Sequence, residues 1–192
     1  MLRLFIAVEL SQEVREQLGR LIGELKKHGC KSTRWVNPEN LHLTLKFLGD
    51  TSPATLPVLK QTIQAACKAI PAFQATARGT GMFPSTQQPR ILWAGLESGT
   101  ALGNLVSALD SGLVKLDYKK ENRPFSPHLT LARIACPENT PAFEMTLKTL
   151  SAVKEKEFGS IIVRRITLFQ STLAPGGSIY TPLERFQLLE KN

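Results

Sequence analysis

Two histidines in this chain stand in identical surroundings. The tetrapeptide HLTL runs from His42 to Leu45 and recurs from His128 to Leu131, 86 residues on. Along an extended strand successive side chains alternate faces. Leu43 and Leu45 therefore share one face, and His42 and Thr44 share the other. Leu129 and Leu131 part from His128 and Thr130 in the same way. Burying the leucines leaves an imidazole beside a hydroxyl, twice over. An imidazole titrates near pH 6.5, so near neutrality one ring can be neutral and the other protonated. Such a pair can take a proton from an attacking water and give one to a departing ribose oxygen, each transfer contributing ~10²–10⁴-fold. The hydroxyls can donate to non-bridging phosphate oxygens, where negative charge must be held. The set suits phosphodiester chemistry.

A lone strand histidine is usually a packing or surface residue. Here, two of only three histidines occupy matching places in a repeat. The third, His28, follows Lys26 and Lys27 at the end of an expected helix, where it suits the helix dipole. Metal binding is the chemical rival. A catalytic zinc usually takes three protein ligands, and neither motif contains Asp, Glu or Cys; Asp50 lies beyond Gly49 in the following turn. No cofactor or metal is expected. Cys30, Cys67 and Cys136 lack CxxC spacing, which argues against a disulfide framework and a zinc–thiolate site and suits a reducing cytoplasm.

The flanks of both motifs repeat as well. Residues 3–9 and 90–96 read as strands. Each is followed by an amphipathic stripe: Val14, Leu18, Leu21, Ile22 and Leu25 after the first, with Ser11 as N-cap, and Leu102, Leu105, Val106 and Leu109 after the second. Beyond each HLTL strand comes a capping signal with proline, Thr51-Ser52-Pro53 and Thr140-Pro141. Helices are expected at about 54–69 and 141–154, extended segments at about 72–83 and 157–169, and a final unmatched strand at about 179–188. Phe83 and Phe169 are again 86 apart. The expectation is an α+β fold of helices outside sheets, residues 1–192 forming one bilobal domain with repeats at about 3–86 and 90–172. Two independent lobes without a shared site are disfavoured, because under ~90 residues each core would be thin.

The net charge of +8 favours a polyanion or a phosphate-bearing substrate. Its densest places, Lys26-Lys27, Lys119-Lys120 with Arg123, and Arg164-Arg165, are equally explained as solvated faces. No segment approaches the ~20 apolar residues that span a bilayer, and the apolar start MLRLFIAVEL meets Glu9 early; no membrane association is expected.

Two HxTx motifs in these flanks resemble the 2H phosphoesterases, and within them the RNA 2′,3′-cyclic phosphodiesterase group, also called LigT-like or 2′-5′ RNA ligases. The matching stretches are RLFIAVEL, RWVNPENLHLTLKFLGD, PRILWAGLE, RPFSPHLTLAR and the closing LFQSTLAPGGSIYTPLERFQL. The resemblance covers nearly the whole chain. It implies two pseudo-two-fold related lobes of antiparallel sheet with outer helices around a positive central cleft. It also implies metal-free hydrolysis of a cyclic phosphate end to a 2′-phosphomonoester, on RNA such as tRNA fragments, by a protein expected to be monomeric. Some members join or cleave 2′-5′ linkages instead. By resemblance His42 is the proton donor and His128 the acceptor, though the two motifs themselves do not fix that order. Thr44 and Thr130 would hold the phosphate.

Arg133 matches a phosphate-contacting arginine of the family, yet strict alternation groups it with Leu129 and Leu131, away from His128. Lys46 shares parity with His42 and is expected either in the cleft or as an ordinary solvent-facing lysine. Phe125 and Pro127 are expected to shape the approach to the second motif, where Ser126 replaces a frequent histidine of the family. Other cyclic-nucleotide substrates, and RNA binding without turnover, stay open as alternatives.

Overall fold

In this computed structural model, residues 1–28, 31–121, 123–135, 140–175 and 177–190 are described. The apolar stripes form helices and the alternating segments form strands. The strands are β1 (Leu2–Glu9), β2 (Thr33–Trp35), β3 (His42–Thr51), β4 (Phe73–Phe83), β5 (Ile91–Glu97), β6 (His128–Ile134), β7 (Glu157–Val163), β8 (Arg165–Ala174) and β9 (Gly177–Gln187). The helices are α1 (Gln12–Lys26), α2 (Leu56–Lys68), α3 (Ala101–Leu113) and α4 (Pro141–Ala152). The capping signals act as read: Ser11 accepts from the Val14 amide and Thr140 from the Phe143 amide, with Pro141 opening α4. Every stripe residue named for α1 and α3 is buried.

The strands make one sheet in the order β7-β4-β5-β6-β3-β1-β8-β9, with β2 also pairing β6. The two HLTL strands meet at its centre through a single antiparallel pair, Leu43 with Leu129. Both leucines are buried in a core that also takes the apolar faces of all four helices. The opposite face of the sheet is open and carries the histidine–threonine pairs.

The strands cross over between halves in a way the periodicity does not show. β4, which closes the first repeat, pairs with β5 and β7. β8, which closes the second, pairs with β1 and β9. The extended segment expected over 157–169 is two strands broken at Arg164, and they lie far apart in the sheet order. One residue can join them only if the sheet curls into a half-barrel. The carbonyl of Arg164 accepts from the Leu188 amide at 2.8 Å where the two ends meet.

A β-bulge falls at the same place in both halves. Opposite the Ile6–Ala7 step, Leu45 is the extra residue of β3; opposite Leu92–Trp93, Leu131 is the extra residue of β6. A bulge resets which face the following side chains occupy. Leu45 and Lys46 are therefore both buried, as are Leu131 and Ala132. Phe47 and Arg133 are turned to the open face.

Candidate active site

His42 and His128 are each the first residue of a central strand, β3 and β6. Extending the Leu43–Leu129 register by one residue either way sets His42 opposite Thr130 and His128 opposite Thr44. His42 and His128 are then diagonal neighbours, which in an antiparallel ladder are about 7–8 Å apart, close enough for long side chains to meet one group. The fold thus brings His42, His128, Thr44 and Thr130 to one face.

Both rings are oriented from behind by backbone. Nδ1 of His42 donates to the Asn40 carbonyl at 2.7 Å, and Nδ1 of His128 to the Ser126 carbonyl at 2.8 Å. Fixing the proton on Nδ1 leaves Nε2 of the neutral ring free to accept; for His42 it accepts from the Thr44 hydroxyl at 3.1 Å. The 3-10 turn Pro38–Asn40, capped by Asn37, presents the first of these carbonyls. A carbonyl belongs to any residue type, so Asn40 and Ser126 carry no sequence signal of this role.

The walls around each ring come in part from the other half of the repeat. His42 packs on Phe5, at 4.9 Å between ring centroids, and edge-on to Tyr180 at 5.2 Å, with Phe169 at 6.4 Å. Edge-on to His128, at 5.2 Å, stands Phe83. The matched phenylalanines, Phe83 and Phe169, are thus pseudo-equivalent neighbours of the two imidazoles. Burial in this aromatic cluster is the main reason His42 holds its proton less well than an ordinary histidine. The Asn40 carbonyl opposes that effect, and the nearby charge of Arg133 adds to it.

Arg133 therefore does face the site, and the alternation that pointed it away fails at the bulge. Lys46 is the reverse case. It is only 8% exposed, pairs with Asp110 at 2.7 Å and donates to the Lys119 carbonyl at 2.7 Å. Neither expected position, cleft or solvent, holds for it, because the bulge at Leu45 turns it into the core.

The two sides of the site differ. Opposite His42 lies Glu9, whose carboxylate accepts from Thr167 at 2.7 Å and from Arg185 at 3.0 and 3.3 Å. The Arg185 hydrogen bond is the chief cause holding this carboxyl below its usual range, against burial. Opposite His128 stands Gly95, where a Cβ would come within 2.6 Å of the Arg78 carbonyl. Beside it opens a concavity of about 670 Å³, lined by Arg78, Trp93, Phe125 and Pro127 among others. Phe125 and Pro127 line this concavity, which touches neither His128 nor Thr130.

His28 lies outside the site and ties the end of α1 to α4 through Thr149, at 3.0 Å. Burial pushes the Cys67 thiol up to about 12, which makes it inert; Cys30 and Cys136 fall outside the described residues. Among the described residues no three His, Cys, Asp or Glu side chains are grouped as a metal would require, and no helix is long and apolar enough to cross a membrane.

A model of the LigT-like phosphoesterase family matches residues 8–93 and 96–180, one repeat each. The chain belongs to that family. As a LigT-like phosphoesterase it is an enzyme. It is 33% identical over 186 residues to an RNA 2′,3′-cyclic phosphodiesterase of Methanothermobacter thermautotrophicus, covering 97% of this chain and 98% of the relative. It is 34% identical over 194 residues to one of Aquifex aeolicus, covering 97% of each. Among solved structures, TT0787 of Thermus thermophilus superposes with a TM-score of 0.82 at 31% identity, covering 99% and 100% of the two chains. E. coli LigT complexed with 3′-AMP superposes at 0.75 and 31%, covering 97% and 98%. This phosphoesterase therefore has the α+β, two-lobed sheet expected from its repeat.

Proposed function

We propose that this chain hydrolyses RNA 2′,3′-cyclic phosphate ends to 2′-phosphomonoesters, using His42 and His128 as an acid–base pair without a metal. The observation that carries this is the central β3–β6 junction: two imidazoles on one face, each with Nδ1 tied to a backbone carbonyl, so that Nε2 is the nitrogen that can exchange a proton with substrate. The names of the relatives support the substrate class.

Water attacks phosphorus while one neutral Nε2 takes its proton. The bond from phosphorus to the ribose 3′ oxygen breaks, and the other imidazolium protonates that oxygen. Thr44, Thr130 and Arg133 hold the non-bridging oxygens, where donors stabilise the developing charge. The family resemblance makes His42 the donor and His128 the acceptor. In the free protein, burial and Arg133 disfavour the proton that a donor must carry. A bound phosphate anion between Arg133 and His42 offsets the arginine's charge and restores that proton. RNA ends in the cytoplasm, tRNA fragments among them, are the substrates this reading assigns to a monomeric enzyme.

The test is incubation with 2′,3′-cyclic mononucleotides and a cyclic-ended RNA oligomer, resolving 2′ from 3′ monoesters. His42→Ala and His128→Ala should each lower kcat by ~10²–10⁴-fold with unchanged circular dichroism, and EDTA should leave the rate intact. Full activity in either variant overturns the acid–base pair, and metal-reversible inhibition overturns the metal-free reaction. Formation of 2′-5′ linkages would favour ligation, and salt-sensitive RNA binding without product would favour a binding protein.

A further inference from the structure

β2 is only three residues long, and it places a second arginine beside Arg133. Arg34 is the direct cross-strand partner of Arg133, and Arg133 in turn faces Ile91. Directly opposed residues in an antiparallel pair lie about 4.5–5.5 Å apart at Cα, and their side chains share a face. That face is the open one: on either side of Arg34, Trp35 packs against the core and Thr33 carries a buried hydroxyl, while Arg34 itself is exposed. A third cation, Arg90, precedes Ile91 and donates to the Ala135 carbonyl.

Like charges set directly opposite each other on a sheet destabilise it. No described carboxylate pairs with Arg34 or Arg133 to offset that repulsion. The pseudo-two-fold counterpart of Arg133 is Phe47, 69% exposed, so the other half has no equivalent arginine pair. An unneutralised arginine pair leading away from a phosphate site suits a second phosphate.

We propose that Arg34 binds the phosphodiester on the 5′ side of the terminal nucleotide, making the enzyme selective for RNA ends over cyclic mononucleotides. This rests on the phosphodiesterase reading and adds to it a direction for the RNA strand: from the two histidines, past Arg133, along β2.

The test compares cytidine 2′,3′-cyclic phosphate with a trinucleotide ending in a 2′,3′-cyclic phosphate. The wild type should show a KM about tenfold lower for the trinucleotide at low salt, and Arg34→Gln should erase most of that difference. Arg34→Lys should restore part of it, since a lysine still supplies a point charge. The slope of log affinity against log salt should fall by about one in Arg34→Gln. Equal KM changes for both substrates, or an unaltered preference, would overturn the proposal. A binding arm separates its failure from that of the reaction. Anisotropy with a labelled trinucleotide carrying a 2′-phosphate, competed by unlabelled 2′-CMP and by inorganic phosphate, needs no turnover. If Arg34→Gln binds this trinucleotide as tightly as the wild type, the assignment fails even if hydrolysis is observed. If neither cyclic substrate is hydrolysed, the reaction fails and the anisotropy alone decides Arg34.

Discussion

At the scale of single residues, His42 is set apart by what surrounds it. Phe5, Phe169 and Tyr180 displace water, and Arg133 adds a positive charge. The folded protein thus binds a proton at His42 less readily than the unfolded chain, whose histidines titrate near 6.5. The stability due to its neutral form is complete above about pH 6.5 and is lost as pH falls below it, toward the lowered folded value. Denaturant midpoints measured from pH 8 down to pH 5 should drop more in the wild type than in His42→Gln; parallel curves would refute the linkage. Lys46 and Asp110 form a pair of the opposite kind, buried and away from the substrate face. Lys46→Ala strands a buried carboxylate and should cost about 3–5 kcal/mol. Lys46→Met with Asp110→Leu should recover most of that, read by urea unfolding, with turnover retained.

At the scale of elements, the two halves use the same backbone with opposite side-chain volumes. Trp93 of β5 lies over Gly81 of β4, where a Cβ would come within 2.3 Å of the indole. At the equivalent pair in the other half stand Ala7 and Thr167, small against medium. Gly81→Ala should overpack this contact and cost about 1–3 kcal/mol. Adding Trp93→Ala should relieve the clash, so that the double variant falls short of the summed single losses in a thermal unfolding cycle. Simple additivity would show that the ring moves aside freely. The repeat itself was legible in residues 3–9, 90–96 and the two HLTL strings. The bulges were not, because a bulge comes from a backbone register that leaves no distinctive residue at Leu45 or Leu131. The parity arguments about Lys46 and Arg133 failed there for that one reason.

At the scale of the whole molecule, the exchange of β4 and β8 means that neither repeat holds all the walls of its own histidine. Phe83 of the first repeat stands against His128, and Phe169 of the second against His42. The apolar core likewise runs through both halves. We expect the chain to unfold as one cooperative unit, with tryptophan fluorescence reporting Trp35 and Trp93 in different halves and far-ultraviolet circular dichroism giving coincident transitions. Two separated transitions would mean that the halves are independent domains.

The sequence alone determined the paired imidazoles, their hydroxyl neighbours, the helices that cover one side of the sheet, and the family. Those follow from residue identity and from local period, which act within a few positions along the chain. Tertiary structure decided the rest: which half supplies the walls of each histidine, where Lys46 and Arg133 point, the carbonyls behind each ring, and the arginine pair on β2 and β6. These depend on contacts between residues distant in sequence, such as Arg34 with Arg133 and Glu9 with Arg185. Alternation along one strand cannot specify them, because it tells which face a side chain takes and not which strand lies beside it.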